Sequence, residues 1–419
     1  MHTPPIQVAT IILAGGQGTR LYPLTIHHSK PAVSYGGRYR LIDIPISNSI
    51  NSNFRNIFVI AQYLSTELQH HINQTYHFDA FNPGSIDVLT PQENEKGEKQ
   101  WFKGTADAVR KNLSIILKSP AEFFLILSGD QLYNIHFLNM VKFAQEANAD
   151  LTIASIPVSE KEATRMGLLK INEHNLVLDF VEKPKDLSTV QNFRLKSTTH
   201  PYLASMGIYV FKREALISLL KLDERDDFGF HLIDTAVKTR KTLTFIYDGY
   251  WEDIGTIASY YDANLILTKT SKGLNTYDEQ NPIYTRPTFL PGPKISGAKI
   301  TNSIICEGSV IEAEEISNCV IGLRSYIGKG TVIRDTVMMG NHFYMPPNKL
   351  EDIPHSEQFS IGSNCVIEKT IIDEFVRIGN HVNLTNKKGL SEYDGNGIFI
   401  RDGIIIVPSG TYLPDYFEI

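Results

Sequence analysis

Between Ile295 and Ile378 an aliphatic residue returns every five or six positions: Ile295, Ile300, Ile305, Val310, Ile316, Ile321, Ile327 and Ile333, then Ile361, Ile367, Ile372 and Ile378. Strand alternation has a period of two and an α-helix one of about 3.6, so neither produces this beat. A hexapeptide-type parallel β-helix does, because each short strand turns a corner and points one aliphatic side chain inward. Glycines such as Gly308, Gly328, Gly330 and Gly362 fall between the beats. The break from about Asn341 to Phe359, rich in proline and polar residues, reads as an insertion. An irregular β-sandwich is the alternative, but it calls for longer strands and true alternation.

The stretch from Gln7 to about Thr270 has another grain. Val8–Leu13, Asn56–Ile60 and Phe123–Leu127 are short apolar runs, and helical patterns such as Ala106–Leu117 and Leu138–Ala147 lie between and after them. Apolar strands alternating with helices predict an α/β fold with a mostly parallel, Rossmann-like sheet covered on both faces. Pro282, Pro287, Pro291 and Pro293 crowd the transition. The expected organisation is an α/β domain over 1–274, a linker over 275–294 and the β-helix over 295–419.

Composition narrows the class. The chain has 419 residues, 40 Lys+Arg against 46 Asp+Glu, and a formal charge of −6. That argues against a nucleic-acid binder, which carries a basic face or tail. Cys306, Cys319 and Cys365 are too few and too scattered for a disulfide framework or a CxxC zinc site. No run approaches the roughly 20 apolar residues of a membrane span, and Met1–Thr10 lacks the pattern of a signal peptide. The expectation is a cytoplasmic protein without membrane contact.

The chemistry-bearing residues cluster at strand ends. Leu13-Ala-Gly-Gly-Gln-Gly-Thr-Arg20 follows the first strand directly. Gly15, Gly16 and Gly18 allow a sharp turn that presents N–H groups to an anion, and Arg20 and Lys30 add cations. The loop has neither the GK[ST] ending of a P-loop nor GxGxxG spacing, so a purely structural turn stays open. Asp130 ends an apolar strand, where open α/β sheets place ligands. It suits Mg²⁺ or a helix N-cap. Asp253 is a second carboxylate or a turn residue before Gly255. Lys183, ahead of Pro184, reads from its position alone as a solvated strand-end lysine. Thr105 with Asp107 makes an ordinary helix start, and Asp107 is read as structural. His27, His28, His70, His71 and His231 show no HExxH spacing and read as loop or surface residues.

Longer blocks bring a resemblance. Leu13–Arg20, Ser29-Lys-Pro-Ala-Val33, Gly36-Gly-Arg-Tyr-Arg-Leu-Ile-Asp43, Ser47–Ser52, Gly104-Thr-Ala-Asp-Ala108, Leu127-Ser-Gly-Asp130, Val181-Glu-Lys-Pro184, Ala204–Tyr209, Asp227-Phe-Gly229 and Gly249–Thr256 occur in order. Together they closely resemble the glucose-1-phosphate adenylyltransferase family over nearly the whole chain. The resemblance implies a left-handed β-helix as second domain. It also implies the reaction of ATP with glucose 1-phosphate to give ADP-glucose and pyrophosphate, feeding α-glucan synthesis. By the same resemblance Arg20, Lys30 and Asp130 are catalytic, and Asp130 and Asp253 share Mg²⁺. Leu13, Gly15, Gly16, Gly18, Thr19, Gln62, Gly104 and Thr105 face the nucleotide. Glu182, Lys183, Ser205, Tyr209, Asp227 and Trp251 hold glucose 1-phosphate. A homotetramer and a phosphorylated-metabolite effector are also implied.

The chain departs from the family's pattern at some positions. Gln17 stands where many relatives have Arg, His27-His28 replace a Lys-Arg pair of a bacterial activator site, Phe102-Lys103 replace Tyr-Arg, and Phe230 stands where Lys is common. None removes a proposed catalytic residue, but the regulatory cations are weakened at neutral pH. Weak or altered activation is therefore expected. Use of UTP or GTP, or a catalytically silent regulatory subunit, are the rival readings.

Overall fold

The computed structural model describes residues 6–92, 100–197, 199–269, 273–344 and 359–419. Most of the Asn341–Phe359 insertion lies outside them.

The first half is built on a nine-stranded sheet. Its strands in chain order are β1 (Val8–Ala14), β2 (Asn56–Ala61), β3 (Ser85–Leu89) and β4 (Phe123–Ser128), with the short β5 (Gln131–Tyr133) outside the sheet. Then come β6 (Leu151–Val158), β7 (Gly167–Ile171), β8 (Val177–Glu182), β9 (Tyr202–Lys212), β10 (Thr242–Ile246) and the short β11 (Trp251–Asp253). The main order is β8-β7-β9-β4-β1-β2-β3, with β6 pairing β9 and β10. β1, β2, β3 and β4 pair in parallel, as do β6 and β10. β9 runs antiparallel to β4, β6 and β7, and β8 antiparallel to β7. The sheet is therefore mostly parallel, with β8 and β9 opposed to the rest.

Residues of β1 explain the burial. Ile11 joins the apolar cluster on one face and Ile12 that on the other. Both faces are covered, so the strand reads as a continuous apolar run. Helices α1 (Asp43–Asn51) and α3 (Thr105–Ile116) pack on the sheet, α2 (Ser65–Thr75) lies against the turn Lys30–Ala32, and α4 (Ile257–Leu265) lies against β11 and the β-helix strand Val337–Gly340.

From Lys294 the chain winds into a parallel β-helix with three faces. Ile300, Ile316, Ile333, Ile367 and Leu384 form one inward ladder. Ile295, Ile311, Ile327, Ile361, Ile378 and Leu413 form the second. Ile311, not Val310, is the inward residue of its coil. The spacing has the right period there and the wrong phase, because both residues of a two-residue strand are aliphatic. Strands of the third face are buried on both sides. Ile321, Met338, Ile372 and Val407 point into the coil, while Val320, Val337, Ile371 and Ile406 join the core of the first half.

That second apolar surface joins the two halves. The tight turn Gly36-Gly37 docks on Gly322, where Leu323 N–H donates to the Gly37 carbonyl at 3.1 Å. Gly37 has φ +70°, and a Cβ there would lie 2.8 Å from Gly322 Cα. Between the halves lies a polar cluster. Glu67 accepts from the His28 ring, and Arg40 lies 2.7 Å from the same carboxylate. Glu374 takes Ser34 Oγ at 2.6 Å and His342 at 3.0 Å. His28 lies in a loop, as expected, but is buried; His71 is neither loop nor surface, since it is buried on α2, 2.6 Å from the fully buried Asp43. Paired carboxylates make burial of such rings tolerable. The segment after Asn275 is not a free tether either: Asn51 and Tyr76 bond the carbonyls of Pro282 and Tyr284. All three cysteines are free and buried, and no helix among the described residues is long and apolar enough to cross a membrane.

Candidate active site

The carboxyl ends of β1 and β4 open into a cavity of about 530 Å³. Its floor is the glycine loop after β1, since Leu13, Gly15 and Gly16 line it. Gly18 lies behind them with φ +66°; a Cβ there would come within 3.0 Å of Lys30 Cβ. The missing side chain lets the loop pack on the short helical turn Lys30–Ala32, which delivers the buried Lys30 to the cavity.

Asp130 sits just past β4. Lys30 donates to one of its carboxylate oxygens and the Ser128 hydroxyl to the other. The β5–β11 pair then matches Gln131 with Asp253, and Ile254 N–H donates to the Asp130 carbonyl at 3.2 Å. This brings the second carboxylate alongside. Crowding by the surrounding protein and the negative charge of Asp130 push the Asp253 carboxyl up, against Lys30, Arg20 and Lys183. Arg20 Nη1 and Asp253 Oδ2 both lie 3.4 Å from the point where a Cβ of Gly255 would stand, which places the guanidinium and the carboxylate on the same side of that residue. Two repelling carboxylates bordered by cations form a hard-oxygen donor set that fits a divalent ion together with phosphate. A second cluster, His28, Glu67 and Glu374, has ligand atoms within 4.8 Å of one another. There the Arg40 guanidinium already supplies the positive charge.

One arm of the cavity is made by Gln62, Gly104 and Thr105. The Gln62 amide bonds the backbone of Phe102 at both ends, accepting at 2.8 Å and donating at 3.3 Å, which fixes its orientation and leaves one amide N–H over. It lines the cavity, where the family resemblance expects it to face the nucleotide. Asp107 accepts from Lys103 N–H at 2.9 Å and pairs with Lys111 at 3.0 Å, a helix-start role. On the rim Tyr63 stacks on Trp101, 5.3 Å between centroids.

The other arm is made by Glu182, Lys183, Tyr209 and Asp227. Burial raises the Glu182 carboxyl, although Lys183, 3.4 Å away, pulls it down. Asp227 caps its turn by accepting from Phe230 N–H at 2.9 Å, and Thr105 Oγ1 donates to it at 3.2 Å, tying the arms together. Burial also raises the Tyr209 phenol, which stacks on Phe228.

Not every expected residue reaches the cavity wall. Ser205 accepts from Gly207 N–H at 3.2 Å behind it. Trp251 stands behind Gln131, its Nε1 3.4 Å from Gln131 Oε1. Thr19 and Arg20 line a neighbouring space of about 690 Å³ against Glu392, Arg401 and Asp402 of the β-helix half. Sequence reasoning missed Ser128 and Gln131. Ser128 carried a signal, two residues ahead of a strand-end Asp; Gln131 carried none.

A glycine loop at the mouth of a parallel sheet, facing a strand-end carboxylate ringed by cations, defines a nucleotidyltransferase. Residues 9–270 match the Nucleotidyl transferase family, and residues 288–417 match the GLGC left-handed parallel beta-helix domain. The chain belongs to the nucleotidyltransferase family, and the pairing of its two halves is the glucose-1-phosphate adenylyltransferase architecture.

Proposed function

We propose that the chain transfers the adenylyl group of ATP to glucose 1-phosphate, releasing pyrophosphate and forming ADP-glucose for α-glucan synthesis. One observation carries this reading: Lys30 and Asp130 pair between a glycine-loop arm and a Glu182–Lys183 arm, with Asp253 held next to Asp130 by strand pairing. The reaction is an in-line displacement at the α-phosphorus, in which two anions must meet. Positive charge and alignment matter more than a nucleophilic side chain.

The glycine loop with Gly104 and Thr105 would seat the nucleotide. Glu182 and Asp227 would bond sugar hydroxyls, and Lys183 the sugar phosphate. Lys30 and Arg20 would offset the charge that grows on the leaving pyrophosphate. Asp130 and Asp253 would hold Mg²⁺, which when bound neutralises phosphate charge and orients the reacting oxygens. We also propose a cytoplasmic homotetramer.

The test is pyrophosphate release from glucose 1-phosphate with each of ATP, UTP, GTP and CTP. ATP is expected to support turnover best. A preference for UTP or GTP would reassign the nucleotide, and no reaction with any would favour a silent regulatory subunit.

A further inference from the structure

We infer that Phe230 is a specificity-determining residue of the sugar-phosphate arm, holding the Lys183 ammonium in place and covering the apolar C–H face of a hexose ring. The inference rests on the proposed reading of this cleft as a hexose 1-phosphate site.

The turn after Asp227 determines where residue 230 stands. Asp227 Oδ1 accepts from Phe230 N–H, and Phe228 is buried against Tyr209. At Gly229 a Cβ would lie 3.2 Å from the Glu182 carboxylate, so the backbone rides directly on that acid. Phe230 emerges beside it, lining the cavity yet 51% exposed. A lone exposed phenylalanine would mean little. This one lies 5.5 Å, ring centroid to Nζ, from Lys183.

Lys183 is itself held in an unusual state. Its φ is +48°, a left-handed conformation costly for a residue with a Cβ, kept by a 3.1 Å bond from its N–H to the Met166 carbonyl. The ammonium then has two anchors, Glu182 Oε1 and the face of Phe230. A hexose 1-phosphate presents three chemistries side by side: hydroxyls, an anion and an apolar C–H face. Glu182, Lys183 and Phe230 match them in turn. A lysine at 230 would add charge for any phosphate; a ring instead ties recognition to the sugar.

The experiment uses the full-length protein and compares Phe230→Ala, Phe230→Tyr and wild type. Initial rates are measured against glucose 1-phosphate and ATP, and equilibrium binding against glucose 1-phosphate and inorganic phosphate. Phe230→Ala is expected to raise KM and Kd for glucose 1-phosphate about fivefold, to raise the Kd for inorganic phosphate by less than that because only the Lys183 anchor is lost, to leave KM for ATP in place, and to melt like wild type. Phe230→Tyr is expected to restore the loss. An unchanged KM for glucose 1-phosphate in Phe230→Ala, with wild type active, would overturn the inference and spare the reading of the cleft. Equal rises for ATP and the sugar phosphate, or a lowered melting temperature, would also overturn it by showing a structural role. A wild-type protein that neither binds nor converts glucose 1-phosphate would remove the reading of the cleft, and the inference with it.

Discussion

Lys30 and Asp130 stand 100 positions apart in the chain and meet as an ion pair where the parallel strands end. Neither is a surface charge: Lys30 is buried and Asp130 half-buried. An ammonium held out of water needs its carboxylate, and a phosphate arriving beside them would find a cation already in place.

Asp130→Asn keeps the shape and removes the charge. Turnover is expected to fall by about 10²–10³-fold with the thermal midpoint close to wild type. Steady-state rates and a melting curve check this, and a variant within tenfold of wild-type kcat would count against the proposed role.

Chelation follows the same logic. EDTA is expected to bring turnover to background and added Mg²⁺ to restore it, while far-UV circular dichroism stays constant. Full activity in EDTA would remove Asp130 and Asp253 from a metal-holding role.

The cluster between the two halves carries a pH signature. Burial opposes charge on His28, but the hydrogen bond to Glu67 and the nearby Glu374 and Asp373 hold its pKa above 6.5. The protonated form is thus favoured by folding. Its contribution is fully present below about 6.5 and is lost as pH rises through the folded value. Urea unfolding of His28→Asn is expected to show a loss of about 1–3 kcal/mol at pH 6 and a smaller one at pH 9. An equal loss at both would sink the assignment.

The same pairing bears on activation. His28 and Arg40 are already neutralised by Glu67 and Glu374, so a phosphorylated effector finds little free positive charge there. Fructose 1,6-bisphosphate is expected to change initial rates only slightly; strong stimulation would refute this.

Gly37→Ala tests the junction. A Cβ at φ +70° would meet the Gly322 backbone, and the strain is expected to cost about 1–3 kcal/mol. Chemical denaturation measures it, and wild-type stability would show that the turn can shift freely.

Local repetition makes the β-helix legible in the chain itself. Each short strand needs one inward aliphatic, and a need repeated along the chain leaves a period. Val310 shows the limit: spacing carries period but not phase when neighbours are equally apolar. The glycine loop and Asp130 are legible for a related reason, since each is written next to the strand that positions it. Asp253, Phe230 and the histidines are not. Whether Asp253 is a turn residue or a second carboxylate depends on β11 pairing with β5, and His71 is buried only because α2 packs over Asp43.

The chain's order of residues by itself determined the two architectures and the strand-end residues, because period and adjacency are properties of neighbours. Tertiary structure alone decided which of those residues share a cavity. It brought Asp253 beside Asp130 and Phe230 over Lys183, and it turned Trp251 and Ser205 away from the wall. Those distances follow from strand pairing and packing across long loops, which no local pattern encodes.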